Sequence, residues 1–322
     1  MYATFPQRLR GPFSGKEVEK SIMGKLVLTQ RPPLRSPYLI AGFAGWPNGG
    51  GVSTDVVDFL KSSLAAERIG EITADDFYIY TSPSLASRPI VTIRQGVVQS
   101  LRFPTNEIFA WRNRDRAHDL VLLSGIEPDL HWHRFAEAVR ECMQIFGARR
   151  LYTVGGYLDY APHTRVPRIS AVVTQEALQE ELVPHDIELT DYEGPTSIQS
   201  YLLSLCQEWG IEGVSLWGST PSYIQGAYPK VTRGMLHLLS RLWHLPLDLE
   251  LLQEQITEME ASLHEQIESN PELADYIKRL EQAYDQDEPE QPQLETDTMV
   301  DEIEQFLRRR RSNPGSHDEP QA

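Results

Sequence analysis

From Leu39 to about Thr220 the chain alternates short apolar runs with amphipathic periods, and that alternation is the first guide to its fold. YLIAGFAG, starting at Tyr38, reads as a strand; Gly51 to Ala66 reads as a helix with Val52, Val56, Phe59, Leu60 and Leu64 on its apolar stripe. Four short β-like runs follow, DFYIYT, PIVTI, VVQSLRF and EIFAW, separated by turn residues and read as a meander or hairpins inserted after the first strand–helix unit. DLVLLSG, Asp119 to Gly125, is nearly all apolar, which suits a central strand buried on both faces. HRFAEAVRECMQIFG predicts a helix ending at Gly147, RRLYTVGG and RISAVVT predict strands, TSIQSYLLSLCQEWG predicts a helix closed by Gly210, and EGVSLWGS is the last clear strand. Strand and helix in turn predict an α/β fold, a mainly parallel sheet flanked by helices.

The C-terminal third changes character. Lys230 to Trp243, Asp248 to Gln266 and Pro271 to Tyr284 read as consecutive helices. DQDEPEQPQLETD then breaks the pattern with acids and prolines, the composition of a disordered segment. MVDEIEQFLRRRR could form one short helix, apolar on Met299, Val300, Ile303, Phe306 and Leu307. The expected organisation is an N-terminal extension over 1–36, an α/β core over 37–245, a helical segment over 246–284 and an acidic tail over 285–322.

Charge sharpens this division. Asp248 to Leu307 holds 19 acidic residues against Lys278 and Arg279, a net of −17 where the whole chain carries −16, so the remainder is almost neutral. Nucleic acid is a poor partner for such a chain, since phosphate neutralisation needs a concentrated basic surface. No window approaches a membrane span, and MYATFPQRLRGPFSGKEVEK lacks the apolar region of a signal peptide, so the expected place is the cytoplasm, with no membrane partner. Cys142 and Cys206 sit in apolar helical patterns and read as buried thiols.

Candidate chemistry lies in the loops after strands. FAGWPNGGGVSTDVV places Gly45 and Asn48 beside three consecutive glycines, yet lacks the lysine of a triphosphate loop and the third glycine of a dinucleotide fingerprint. It reads either as an anion site at a helix N-terminus or as a turn for close backbone packing. DYAPHTRVPRIS carries Asp159, His163, Thr164, Arg165 and Arg168: a histidine and carboxylate fit general-base work, and Arg165 fits a carboxylate or phosphate. The reading favoured for a loop with two prolines and no paired nucleophile is that His163 and Arg165 tie it to neighbouring backbone and carboxylates at a domain or subunit contact. YEGPTSIQSYL offers Glu193 and Gly194 ahead of a helix start, and WGSTPSYIQGAYPK offers Trp217, Tyr223 and Tyr228 as aromatic anchors. No zinc, thiolate-pair or nucleophile-elbow motif occurs, so no metal, cofactor or catalytic residue is assigned.

GFAGWPNGG, VLLSGIEP followed by HWHRFAEAV, VGGYLDYAPHTRVP, YEGPTSIQSYL and LWGSTPSYIQGAYPKVTRGML, in this order, resemble the proteasome assembly chaperone family in its bacterial and archaeal branch. The likeness runs from about Pro37 to Tyr284. It implies an α/β fold akin to phosphorylase/hydrolase-like sheet proteins, followed by C-terminal helices. It also implies homo-oligomers, trimers in particular, that bind proteasome core subunits during assembly without catalysing a reaction. The sequence ends HDEPQA, not in the hydrophobic residue, tyrosine and final residue of archaeal proteasome-docking tails, so docking by the tail is not expected. The leading expectation is a non-enzymatic, homo-oligomeric protein-binding factor. The alternative is an enzyme or binding protein for a small anionic or nucleoside-like ligand, in a cleft formed by Asn48, Asp159, His163, Arg165 and Glu193.

Overall fold

The structure is a computed structural model that describes residues 19–20, 25–74, 76–81, 86–114 and 118–286. The short helix read over Met299–Leu307 lies outside them. The first half of the chain forms β1 (Glu19–Lys20), β2 (Leu26–Leu28), β3 (Tyr38–Ala44), α1 (Val52–Ser63), β4 (Glu67–Ile72), β5 (Ile90–Arg94), β6 (Val97–Arg102), β7 (Asn106–Trp111), β8 (Leu120–Ile126) and α2 (Trp132–Phe146). The second half forms β9 (Arg150–Asp159), β10 (Ile169–Val173), α3 (Glu176–Leu182), β11 (Glu188–Leu189), α4 (Ile198–Trp209), β12 (Glu212–Pro221), α5 (Pro229–Trp243), α6 (Glu250–Glu268) and α7 (Pro271–Asp285).

Ten strands make one sheet in the order β1-β2-β4-β7-β8-β3-β9-β12-β10-β11, and β5 with β6 makes a separate hairpin. The four central strands, β8, β3, β9 and β12, are mutually parallel, while β7 and β10 run antiparallel to them on either side. Both faces of the centre are covered. On one, Ile40, Leu122, Val154 and Leu216 meet Val56 and Leu60 of α1 and Met235 and Leu239 of α5; on the other, Leu39, Phe43, Val121 and Leu151 meet Phe135 and Val139 of α2 and Leu202 of α4. Consecutive residues of β3 and β8 thus enter opposite cores, which is why these strands read as unbroken apolar runs. Cys142 and Cys206 are buried in the second core, and burial pushes each thiol up to about 12.

Two elements differ from the sequence reading. DFYIYT is not a strand: Asp76 takes a positive φ of 73°, and Phe77 and Tyr78, adjacent residues, are both buried where a strand would bury one of them. ERIGEI, whose three charges hide its period, is β4; a register shift between Arg68 and Gly70 lets Ile69 and Ile72 both face the core. Inside the stretch read as an N-terminal extension, β2 pairs antiparallel with β4 and buries Leu26 and Leu28. The last helices fold back onto the body: Leu252 joins the first core with Met259 and Leu263 against it, and Ile277 and Leu280 are buried on α7.

The triple glycine is where layers meet. Gly50 and Gly51 take φ values of 60° and 73°, and Gly50 lies where a Cβ would come within 2.5 Å of Thr220 Oγ1 on β12. Gly156 of β9 faces the carbonyl of Gly49 and Val52 so closely that any side chain there would overlap them. Gly156→Ala is therefore expected to cost about 3 kcal/mol, the upper end of overpacking penalties. Gly147→Ala, at a helix end with open space around it, is expected to cost only about 1 kcal/mol through its left-handed backbone. Urea unfolding of both variants checks the contrast; equal losses would show that the close approach is not a constraint.

Candidate functional site

Open α/β sheets place ligand and partner contacts at the carboxyl ends of their parallel strands. The loops after β3, β9 and β12 emerge there, and the loop that follows β11 reaches the same end at the start of α4, where Ile198 meets Glu127. The turn after β3 holds Gly45, Trp46 and Asn48. Its helix-opening N–H groups are largely used by the protein itself: Gly51 N–H donates to Asn48 O at 3.0 Å and Thr54 N–H to Asn48 Oδ1 at 3.1 Å. Asn48 also forms a bridge with Gly156, whose N–H donates to Pro47 O at 2.9 Å, and Tyr228 N–H donates to Gly50 O at 2.8 Å. The glycine loop thus joins β9 and the start of α5, and its geometry is that of close backbone packing.

The loop between β9 and β10 carries the richest polar set, and its members turn to different partners. Asp159 Oδ2 accepts from Ser219 Oγ at 2.7 Å and Oδ1 from Tyr160 N–H at 2.8 Å. His163 is buried, with both its backbone N–H and its Nδ1 2.7 Å from the Tyr223 hydroxyl. The backbone N–H donates to that oxygen, so one hydroxyl engages both the main chain and the ring of His163. Burial, and then the Lys230 ammonium, hold His163 below the usual histidine pKa; Lys230 itself donates to His163 O at 2.7 Å and pairs with Glu260 at 3.0 Å. Burial raises the Tyr223 hydroxyl, so the pair is neutral.

Arg165 reaches α7, where its Nε and Nη2 each lie 2.7 Å from the two Asp285 oxygens, a fork-to-fork pairing, and its Nη1 lies 3.3 Å from Glu281. Thr164 donates to the same Glu281 oxygen. Tyr284 O–H donates to Val166 O at 2.8 Å, and Arg168 lies over the Tyr284 ring at 4.2 Å. Tyr276 meets Tyr223 edge-on. The fork that could have held a ligand's carboxylate therefore holds one of this chain's own, and no hydrogen bond links Asp159 to His163.

Glu193 and Gly194 lie exposed in the loop before α4. The Trp217 ring lies against Gly155, the residue paired with it in register on β9. Glu127 was not singled out in the sequence. Directly after β8, its Oε1 accepts from Ile198 N–H at the α4 N-terminus at 2.8 Å and its Oε2 from Trp46 N–H at 3.1 Å. Burial raises its pKa, and these two donors oppose that rise. A carboxylate directly after a nearly all-apolar central strand was the available signal. Around these tied loops stand exposed apolar side chains: Trp46 is 70% exposed, Val166 81% and Tyr192 69%, and Leu158 near the end of β9 and Tyr160 just after it are exposed as well. Among the described residues no cluster could hold a metal ion, and no helix is long and apolar enough to cross a membrane.

A profile of the PAC2 family matches residues 42–267. Among solved structures, a PAC2 family protein from Streptomyces avermitilis is 29% identical, with a TM-score of 0.66 over 74% of this chain and 99% of that one. A proteasome-assembly chaperone homologue from Mycobacterium tuberculosis is 28% identical, with the same TM-score and coverage. An archaeal proteasome activator from Pyrococcus furiosus is 25% identical, with a TM-score of 0.59 over 74% of this chain and 97% of that one. None of the curated proteins compared with the chain matches it.

Two outcomes test the His163–Tyr223 pair. Tyr223→Phe strands a buried N–H and Nδ1 and is expected to cost about 1–3 kcal/mol in urea unfolding. The lowered folded-state pKa means the unfolded chain binds the proton first, so stability is lost as pH falls through about 6.5 toward that lower value. His163→Gln should flatten the wild-type slope between roughly pH 7 and 5. Parallel wild-type and variant profiles there would contradict the assignment.

Proposed function

The chain belongs to the PAC2 family, and on that premise we propose that it is a non-enzymatic, self-associating binding factor for proteasome core subunits, acting through the loop end of its sheet. One observation carries the reading: the loop end spends its polar groups on internal ties and offers water its apolar ones. His163 is engaged by Tyr223, Arg165 by Asp285, Asp159 by Ser219 and Asn48 by Thr54, while Trp46, Val166 and Tyr192 stand exposed. Such a surface suits burial against another protein, where aromatic anchors supply most of the free energy. The Mycobacterium tuberculosis relative, a proteasome-assembly chaperone homologue, and the Pyrococcus furiosus relative, a proteasome activator, support the choice of partner.

In this reading the ties have a purpose. Arg165, Thr164 and Tyr284 pin α7 beside the loop, and Glu127 pins the turn carrying Trp46 to the start of α4. A contact surface held in one shape before binding loses less freedom on association. The same loops could serve a second copy of the chain or a client; the cytoplasm, where proteasome subunits are made, is the compartment the reading requires.

The paired substitution Trp46→Asp and Val166→Asp tests it. Both side chains are exposed, so thermal stability should hold while affinity for the host's purified core subunits falls by at least about tenfold, a loss of about 1.4 kcal/mol. Undiminished binding, or a thermal shift with phosphate or nucleosides that is abolished by Arg165→Ala, would favour the small-ligand cleft instead.

A further inference from the structure

The hairpin β5–β6 is the least explained feature of the fold. Gln95 and Gly96, both with positive φ (50° and 76°), close it in the manner of a type I′ turn, and among the described residues its strands pair only with each other. Neither strand buries a residue. Ile90, Val91, Ile93, Val97, Val98, Leu101 and Phe103 are each 48–62% exposed. Cross-strand pairing puts Val91 with Leu101 and Ile93 with Val98, and a register shift between Thr92 and Ile93 spreads the apolar positions over both faces. A two-stranded hairpin is marginal in water by itself, and an apolar surface of this kind calls for a cover.

Charge and reach identify the cover. From Phe77 to Asn106 the chain has Arg88, Arg94 and Arg102 and not one carboxylate. Residues 287–307 have eight carboxylates and no basic residue, and within them Met299, Val300, Ile303, Phe306 and Leu307 recur at the spacing of one helix face. The stretch therefore complements the hairpin in charge and in apolar character at once. A second hairpin would bring the same positive charge against the first.

The geometry brings the two close. The hairpin leaves the sheet ahead of β7, whose first residue, Asn106, accepts from Ile126 N–H at the carboxyl end of β8. The chain leaves α7 at Asp285, which Arg165 holds beside the β9–β10 loop at the same end of the sheet. From β10 to β7 is five strand spacings, about 24 Å. The 13 residue steps from Gln286 to Met299 can extend to about 43 Å. We infer that the β5–β6 hairpin is the docking surface for this chain's own acidic C-terminal segment, residues 287–307.

Hydrogen exchange of the full-length protein, read at residues 90–103, tests the assignment. In Ile303→Asp/Phe306→Asp, hairpin amides should exchange at least about tenfold faster than in wild type, with α1 and β3 unchanged. Arg94→Glu/Arg102→Glu should do the same, and adding Asp301→Lys/Glu302→Lys to it should restore protection by reversing both signs. Equal hairpin exchange in wild type and the tail variant would overturn the inference. So would protection that survives the tail substitutions and rises with protein concentration, since the occupant would then be a second copy.

Discussion

The close approach of the Gly49–Gly51 turn to Gly156 and Thr220 is the contact on which the loop end of this fold depends. A chain leaving β3 must rise over β9 and enter α1 within a few residues, and backbone against backbone is the only packing that leaves room. Ser53, the second residue of α1, then accepts from Phe43 N–H and donates to Val154 O, and Gln199 of α4 bonds to the same carbonyl. Three elements from the two faces of the sheet are thereby fixed around one point of β9. Buried polar groups joined in this way specify a single arrangement because leaving any of them unpaired is costly.

From that point outward the loops are secured in turn. Glu127 joins the β3 turn to α4, Tyr223 holds the β9–β10 loop through His163, and α7 closes over the same loop through Asp285, Glu281 and Tyr284. Ion pairs between exposed groups contribute little to stability singly, but here they set where α7 lies rather than whether the core folds. The consequence is a sheet end whose charged side chains are largely paired with one another while Trp46, Val166 and Tyr192 stand exposed. Exposed apolar side chains on a loop end held in one shape suit the association surface proposed above.

Much of the architecture was legible because central strands and amphipathic helices follow simple periods. DLVLLSG announced a two-sided strand, and Gly147 and Gly210 closed their helices as left-handed caps. ERIGEI was not legible, because a register shift breaks its alternation and its charges face outward; DFYIYT misled because two adjacent aromatics enter one core from a turn. Sequence pattern singled out candidate residues by their type but not their relations. Arg165 was read either with a ligand carboxylate or phosphate or as a tie to neighbouring backbone and carboxylates, and its carboxylate stands 120 residues later in the same chain. Such pairings depend on where α7 folds back, which no local pattern carries. The glycine loop, open to two readings in sequence, is assigned to packing by neighbours as remote as Thr220 and Tyr228.

The central claim is that the loop end meets protein. Native mass spectrometry of the full chain, alone and mixed with the core subunits of its host's proteasome, addresses it most directly. A closed homo-oligomer that acquires core subunits in fixed ratio is expected. A monomer at every concentration that acquires none of them would contradict it.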